Sequence, residues 1–182
     1  MRTPRPVSCT TTLKPHDAPM VAAAPVANCS VRPLESDDVE RVIAIDREHS
    51  GHSRRRFFEK RFAAIAVEPD DYVHLGVTRA GSLRGFAIAR ILRGDFGHER
   101  AIAVLDAIGV EVESQERGIG QALMEELGAI LHRKRVRSLQ SQSDWTNHRL
   151  LRFFHAAGFG LAPRLTLHRP VNQVLVESSE EV

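Results

Sequence analysis

The stretch ESQERGIGQALMEEL, Glu113 to Leu127, decides how the chain is read. Gly118 and Gly120 stand one residue apart, Gln115 lies three places before the first, and Ile119, Leu123, Leu127 and Ile130 recur at helical spacing. Immediately upstream, AIAVLDAIGVEVE (101–113) reads as a long strand. A strand, a glycine turn and a helix start in succession make an anion site, because free backbone N–H groups converge there and the helix dipole favours negative charge. Phosphate is the leading ligand for such a turn.

Three phosphate-binding designs can be tested against these residues. The loop of nucleoside triphosphatases needs Gly-x-x-x-x-Gly-Lys-Ser/Thr, and the chain has no Gly-Lys pair. A dinucleotide turn needs Gly-x-Gly-x-x-Gly/Ala and an acidic residue about 20 positions on. Here the third position is Leu123, and the following strand offers Gln140 and Gln142. The third design fits: Gln115-Glu116-Arg117-Gly118-Ile119-Gly120 resembles the Gln/Arg-x-x-Gly-x-Gly/Ala loop of the GNAT superfamily of N-acetyltransferases, which holds the pyrophosphate of acetyl-coenzyme A. A second segment carries the same resemblance. NHRLLRFFHAAGF, Asn147 to Phe159, is similar to the superfamily's later signature of Asn-x-x-Ala, an aromatic pair and a closing Gly-Phe, with Leu150 in place of the alanine.

The flanking elements agree with that order. CSVRPL reads as a short strand, followed by Ser36 as a helix cap and Asp37 and Asp38 in the first turn. Gly51 ends that helix, and Ser53 can cap a second one carrying Phe58, Phe62 and Ile65 on one side. YVHLGVTR and LRGFAIARILRG read as strands joined by an AGS hairpin link, and GDFGH turns the chain into the long strand. RSLQSQ reads as a strand, the helix from Asn147 ends at Gly158, and FGLAPRLTLHRPV reads as one or two terminal strands. The resemblance implies an α/β (α+β) GNAT-type fold: a central mixed, mostly antiparallel twisted sheet of six to seven strands flanked by about four helices.

Composition bounds the rest. With 182 residues, 42% hydrophobic and 26% charged, the chain is long enough for one domain with its own core. Residues 1–27, rich in Pro, Thr and Ala, read as a flexible leader, and 28–182 as a single domain. The MVAAAPVA piece is too short, and too broken by Pro25, for a signal peptide, while Met20 offers an alternative start. No run reaches the ~18 apolar residues of a membrane helix. A formal charge of +2 marks no nucleic-acid field. Cys9 and Cys29 make neither a disulfide framework nor a metal pair, which suits reducing cytoplasm and a site without metal. A homodimer is left open.

The resemblance also implies roles. Pantetheine would lie where the strand ending near Val112 and the strand at Leu139 to Gln142 splay apart. Gly109 is the expected bulge, and the backbone of Ile108, Gly109 and Val110 would face the thioester and stabilise its oxyanion. Gln115, Glu116, Arg117, Gly118, Ile119, Gly120 and Gln121 would hold the pyrophosphate, with Val112, Asn147, Phe153 and Phe154 completing the cofactor site. An acceptor amine must lose a proton before it attacks. Phe154 stands where the superfamily commonly has a proton-donating tyrosine, Gln142 where some members carry a glutamate base, and Tyr72, the only tyrosine, lies in another strand. Period-2 alternation places Asp106 on the face of Ile108 and Val110, as the candidate base. His49, His52, Asp46 and Glu48 lie between the first two helices, where the acceptor pocket usually forms, and the arginines after Ser53 hint at an acidic acceptor. The implied activity is transfer of an acetyl group from acetyl-coenzyme A to an amine by direct attack in a ternary complex, since neither cysteine is placed for a covalent intermediate. The alternative is a silent module that binds acyl-coenzyme A or a partner.

Overall fold

YVHLGVTR and SLRGFAIARIL are apolar at most positions, which a strand tolerates when both of its faces are covered. In the computed structural model, which describes residues 29–93 and 101–163, these segments are β2 (Tyr72–Arg79) and β3 (Ser82–Leu92). They lie inside a five-stranded sheet of order β1-β2-β3-β4-β5, completed by β1 (Cys29–Pro33), β4 (Ile102–Val110) and β5 (Leu139–Gln140). The first four strands run antiparallel, and β5 returns parallel to β4 after the crossover helix α3 (Ile119–Arg133). One core joins Val73, Leu75, Val77, Ala87 and Leu105 to Ile119, Leu123 and Leu127 of α3 and Phe154 of α4 (His148–Ala156). The opposite face packs Phe86, Ile88 and Ala107 against Val42 and Ile45 of α1 (Val39–Ser50) and Phe58 and Ile65 of α2 (Arg55–Val67).

The four helices and the mixed, mostly antiparallel sheet match the sequence reading. The strand number is lower, five among the described residues. Residues 159–163 of the expected terminal strands carry no strand, and the remainder of that segment, the GDFGH turn and the leader fall outside the described residues.

Both helix caps differ from expectation, and charge pairing is the reason. Ser36 does not cap: it is the first residue of a 3-10 turn over Ser36–Asp38, and the cap position falls one residue earlier, on Glu35, whose N–H donates to Asp38 Oδ2 at 2.8 Å. Asp38 is fixed there by both guanidinium nitrogens of Arg32, at 2.6 and 2.9 Å. Likewise Arg54, not Ser53, occupies the cap position of α2. Its Nε donates to buried Asp46 at 2.9 Å, and its guanidinium lies 5.2 and 5.5 Å from the rings of Phe57 and Phe58. The β2–β3 hairpin is tighter than read, because Ser82 already belongs to β3. Ala80 (φ 50°) and Gly81 (φ 76°) are both left-handed, as a two-residue turn between right-twisted strands requires.

His74 of β2 is half-buried opposite Ile88, with Nδ1 buried and unpartnered, and burial pushes its imidazole below the usual range. The folded chain therefore binds this proton less readily than the unfolded chain does. The resulting stability is intact above the ordinary imidazole value of 6.5 and declines as pH falls from there toward the lower folded value. Thermal melts from pH 7.5 to 5 should show this decline, and His74→Phe should flatten it.

Candidate functional site

The register of β3 against β4 changes once. Ile88 pairs with Ala107 but Ala89 pairs with Leu105, so Asp106 is the extra residue. The bulge expected at Gly109 is therefore at Asp106, while Gly109 stays in register opposite Phe86. Glycine is needed at 109 for a different reason: a Cβ there would lie 2.7 Å from Phe86 Cε1 and 3.2 Å from Ile45 Cγ2.

An inserted residue reverses the alternation of a strand. Ala103 and Leu105 contribute to the α3 side, and beyond the bulge Ile108 and Val110 pack against that same core. Asp106 does not share their face as the unbroken period predicts. It is reached from α2 by Arg61 Nε at 2.8 Å and from β3 by Arg90 at 3.9 Å. The Arg61 contact is a buried ion pair by distance but not an aligned hydrogen bond, since Arg61 Nε and Asp106 Oδ2 both lack a hydrogen-bond partner.

The same phase change turns backbone groups outward. Glu111 N–H donates to Arg84 O at 2.8 Å, which makes that pair the hydrogen-bonded kind, so the next pair, Gly85–Val110, is not. The N–H and C=O of Val110, and by alternation those of Ile108, point away from β3. On that side β5 pairs only through Ala103–Leu139 and Val104–Gln140. Ser141 Oγ still donates to Leu105 O at 3.4 Å, but no described strand follows β4 farther. β4 and β5 thus share no ladder pair beyond Val104, which leaves a gap in the pairing of the sheet beside Ile108 and Val110.

The open end of this gap is gripped by α1. His49, in its last turn, places Nε2 2.7 Å from Val110 O, and Gln115 Nε2 donates to the same oxygen at 3.0 Å. Adjacent Glu48 accepts Val112 N–H at 3.0 Å. The strand reading that ran through Glu113 stops at Val110, where Glu111 takes over. This carboxylate is buried and held by Arg41, by Arg84 at 2.7 Å and by Ser114 Oγ at 2.8 Å. Burial raises its pKa, but the bonds from Arg84 and Ser114 and the charges of Arg84 and Arg41 outweigh burial and hold it below the usual carboxylate range. Glu48, Glu111, Val112 and Glu113 line an open depression of about 370 Å³.

From Gln115 the chain enters the glycine turn. Glu116 (φ 59°) and Gly118 (φ 78°) are left-handed, and Gly118 is the cap of α3. The first intrahelical bond runs from Ala122 N–H to Gly118 O at 2.9 Å, so the amides of Ile119, Gly120 and Gln121 precede the helix ladder and open at its end. Glu116, Arg117 and Gly118 are exposed, whereas Ile119 is buried against β3. A Cβ at Gly85 would lie 2.9 Å from Ile119 Cγ2, and one at Gly120 2.9 Å from Phe153 Cε2. The glycine turn and the aromatic pair thus meet at Gly120. Gln121 spends its side chain on Glu125, at 3.0 Å.

The second segment is pinned by helix chemistry. Asn147 Oδ1 accepts Leu150 N–H at 3.1 Å and caps α4. At the far end Phe159 N–H reaches Phe154 O at 2.9 Å, Gly158 (φ 84°) donates to His155 O at 3.0 Å, and the Phe154 and Phe159 rings lie 4.8 Å apart. This is the paired-bond glycine stop with its apolar contact, and it makes Phe154 a core residue. Tyr72 is buried in the opposite core, and Trp145 stands 81% exposed. Of the arginines that hinted at an acidic acceptor, Arg54 is paired with Asp46, Arg55 with Glu40 and Glu59, and Arg61 with Asp106. Among the described residues, no group of three or more His, Cys, Asp and Glu is arranged to hold a metal ion.

Comparison with known proteins gives this arrangement a context. The family model described as "Acetyltransferase (GNAT) family" matches residues 37–159. No curated protein matches. Among solved structures, the ribosomal-protein-S18-alanine N-acetyltransferase from Escherichia coli superposes with a TM-score of 0.61 at 22% identity, over 74% of this chain and 79% of that one. An aminoglycoside acetyltransferase from an uncultured soil metagenomic sample, in complex with sisomicin, gives 0.62 at 14% identity over 80% and 97%. The AAC(6')-Iy complex with a coenzyme A bisubstrate analogue gives 0.62 at 19% identity over 78% and 97%. At these identities the superpositions speak for the fold.

Proposed function

The chain belongs to the acetyltransferase (GNAT) family, and from that premise we propose that residues 28–182 act as one domain that moves an acetyl group from acetyl-coenzyme A to a primary amine, by direct attack in a ternary complex. The observation that carries the reading is the unpaired side of β4 at Ile108 and Val110, which leads straight into the open amide end of α3. Pantetheine is an amide chain of strand-like reach, and the outward N–H and C=O of Ile108 and the N–H of Val110 match it, Val110 O being held by His49 and Gln115. The thioester oxygen then meets Val110 N–H, an oriented dipole where negative charge develops. The amides from Glu116 to Gln121 receive the pyrophosphate, with Arg117 beside them. Gln115 acts through its backbone, its side chain being committed to Val110 O. Asn147 Nδ2 is assigned to the pantetheine arm, and Phe153 fixes the spacing of the cradle through Gly120. Asp106, held by Arg61 behind the strand, takes no part in the chemistry.

The exposed carboxylates of Glu48 and Glu113 at the depression beside Val112 support a cationic acceptor, the charge of Glu111 being answered by Arg41 and Arg84. An assay of coenzyme A release should therefore use sisomicin, spermidine, lysine and an alanine-terminated peptide. Release with one of these, and sequential rather than ping-pong kinetics, are the expected results. Tight acetyl-coenzyme A binding without release from any of them would replace this reading by that of a silent binding module.

A further inference from the structure

We propose that His49 is the base that takes the acceptor's proton, an inference that rests on the acetyl-transfer reading. An alkylammonium with a pKa of about 10 is almost wholly protonated at neutral pH and has no lone pair for attack. Three residues that the sequence put forward for proton transfer do not supply it. Phe154 is a hydrocarbon in the core, Tyr72 is buried in the opposite core, and Asp106 is ion-paired on the far face.

His49 is placed differently. Its Nε2 lies 2.7 Å from Val110 O, the carbonyl of the residue whose N–H faces the gap, and the side chain is exposed at the end of α1. A carbonyl oxygen only accepts, so Nε2 carries the hydrogen and the ring's lone pair is at Nδ1. Gln115 Nε2, 3.0 Å from the same oxygen and 3.4 Å from His49 Nε2, is a second donor to Val110 O and leaves Nδ1 untouched. Val110 O thus sets the tautomer and holds the imidazole within one peptide unit of the thioester. The charged groups around it are Glu48 on its own turn, Glu111 with Arg41 and Arg84, and Glu113 on the connection to α3.

The step balances. Nδ1 takes one proton from the ammonium, and the freed nitrogen lone pair forms the C–N bond at the thioester carbon, with the oxyanion on Val110 N–H. The C–S bond then breaks, the nitrogen loses its second proton, and the coenzyme A thiolate gains one. Amide, thiol and one released proton are the products.

His49→Gln and His49→Ala separate the base from the clamp, because glutamine can keep a donor on Val110 O but has no titrating lone pair. With the best acceptor of the panel, both variants should lose roughly 100-fold in kcat/KM, within the usual range for general base catalysis. Both should also lose the acidic limb of the pH profile while keeping the wild-type thermal shift with acetyl-coenzyme A. Added imidazole should restore part of the activity of His49→Ala. If His49→Gln keeps kcat/KM within twofold of wild type, or keeps the same acidic limb, the proposal is overturned and His49 is a strand clamp. Absence of turnover by the wild-type protein would instead overturn the acetyl-transfer reading on which the proposal stands, a distinguishable result.

Discussion

Gly118→Glu is expected to abolish the thermal stabilisation by acetyl-coenzyme A that the proposed function predicts for the wild-type protein. At a cofactor concentration 100-fold above its dissociation constant the wild type should gain about 2.7 kcal/mol, or roughly 5–10 °C for a chain of this size. Gly118 caps α3 at φ 78°, exposed, with the first amides of the helix opening beside it. A carboxylate there would occupy the place that the proposed reading gives the pyrophosphate and would repel it. Any side chain at this left-handed position also costs roughly 1–2 kcal/mol of stability, so Gly118→Ala is the control, sharing the backbone penalty without the charge. The alanine variant should melt lower yet still respond to cofactor, whereas the glutamate variant should melt lower and not respond. A full shift in a folded Gly118→Glu protein would mean that the pyrophosphate lies elsewhere.

Gly109→Val should lower stability by about 3 kcal/mol, the upper end of ordinary overpacking, and the melting temperature by roughly 6–12 °C. The new Cβ would stand 2.7 Å from Phe86 Cε1. That ring is fully buried and set edge-on to Phe58 at 5.6 Å, so it has no room to withdraw. Phe86→Leu introduced together with Gly109→Val should recover part of the loss, a coupling of roughly 0.5–3 kcal/mol as for residues in contact. The outcome separates two roles for this glycine. Loss of turnover with an unchanged melting temperature would show that Gly109 serves the reaction rather than the packing of Phe86.

Much of the architecture was legible because it is written in local chemistry. The glycine turn, the Asn147 cap and the Gly158 stop are each decided within a few residues, and the structure contains all three. The bulge was not legible. From Ile102 to Val110 nearly every side chain is apolar, since both faces of β4 are covered, and a uniform apolar run carries no phase from which an extra residue could be detected. The error over Asp106 follows from that lost phase. The caps of α1 and α2 differ from the sequence reading because Arg32 fixes Asp38 where it bonds Glu35 N–H, and because Asp46 holds Arg54 at the start of α2. The clasp on the gap was hidden by distance: His49 and Val110 are 61 residues apart, and Glu111 and Arg41 are 70 apart, so only the folded sheet brings them together. A buried glutamate one place past a strand offers no local signal of its two arginine partners.

The phase change at Asp106 also bears on how the protein behaves without its ligand. From the bulge to Val110, β4 presents main-chain donors and acceptors that no described strand takes up. An edge of this kind is a template for any extended chain, including the same segment of a second molecule. In the proposed reading the pantetheine arm continues along β4 where its two pairs with β5 end, much as a peptide completes a sheet by strand addition. On that reading acetyl-coenzyme A would protect the protein from self-association as well as supply its acyl group, and the empty form should clump during storage or heating, a difference that light scattering with and without cofactor would register.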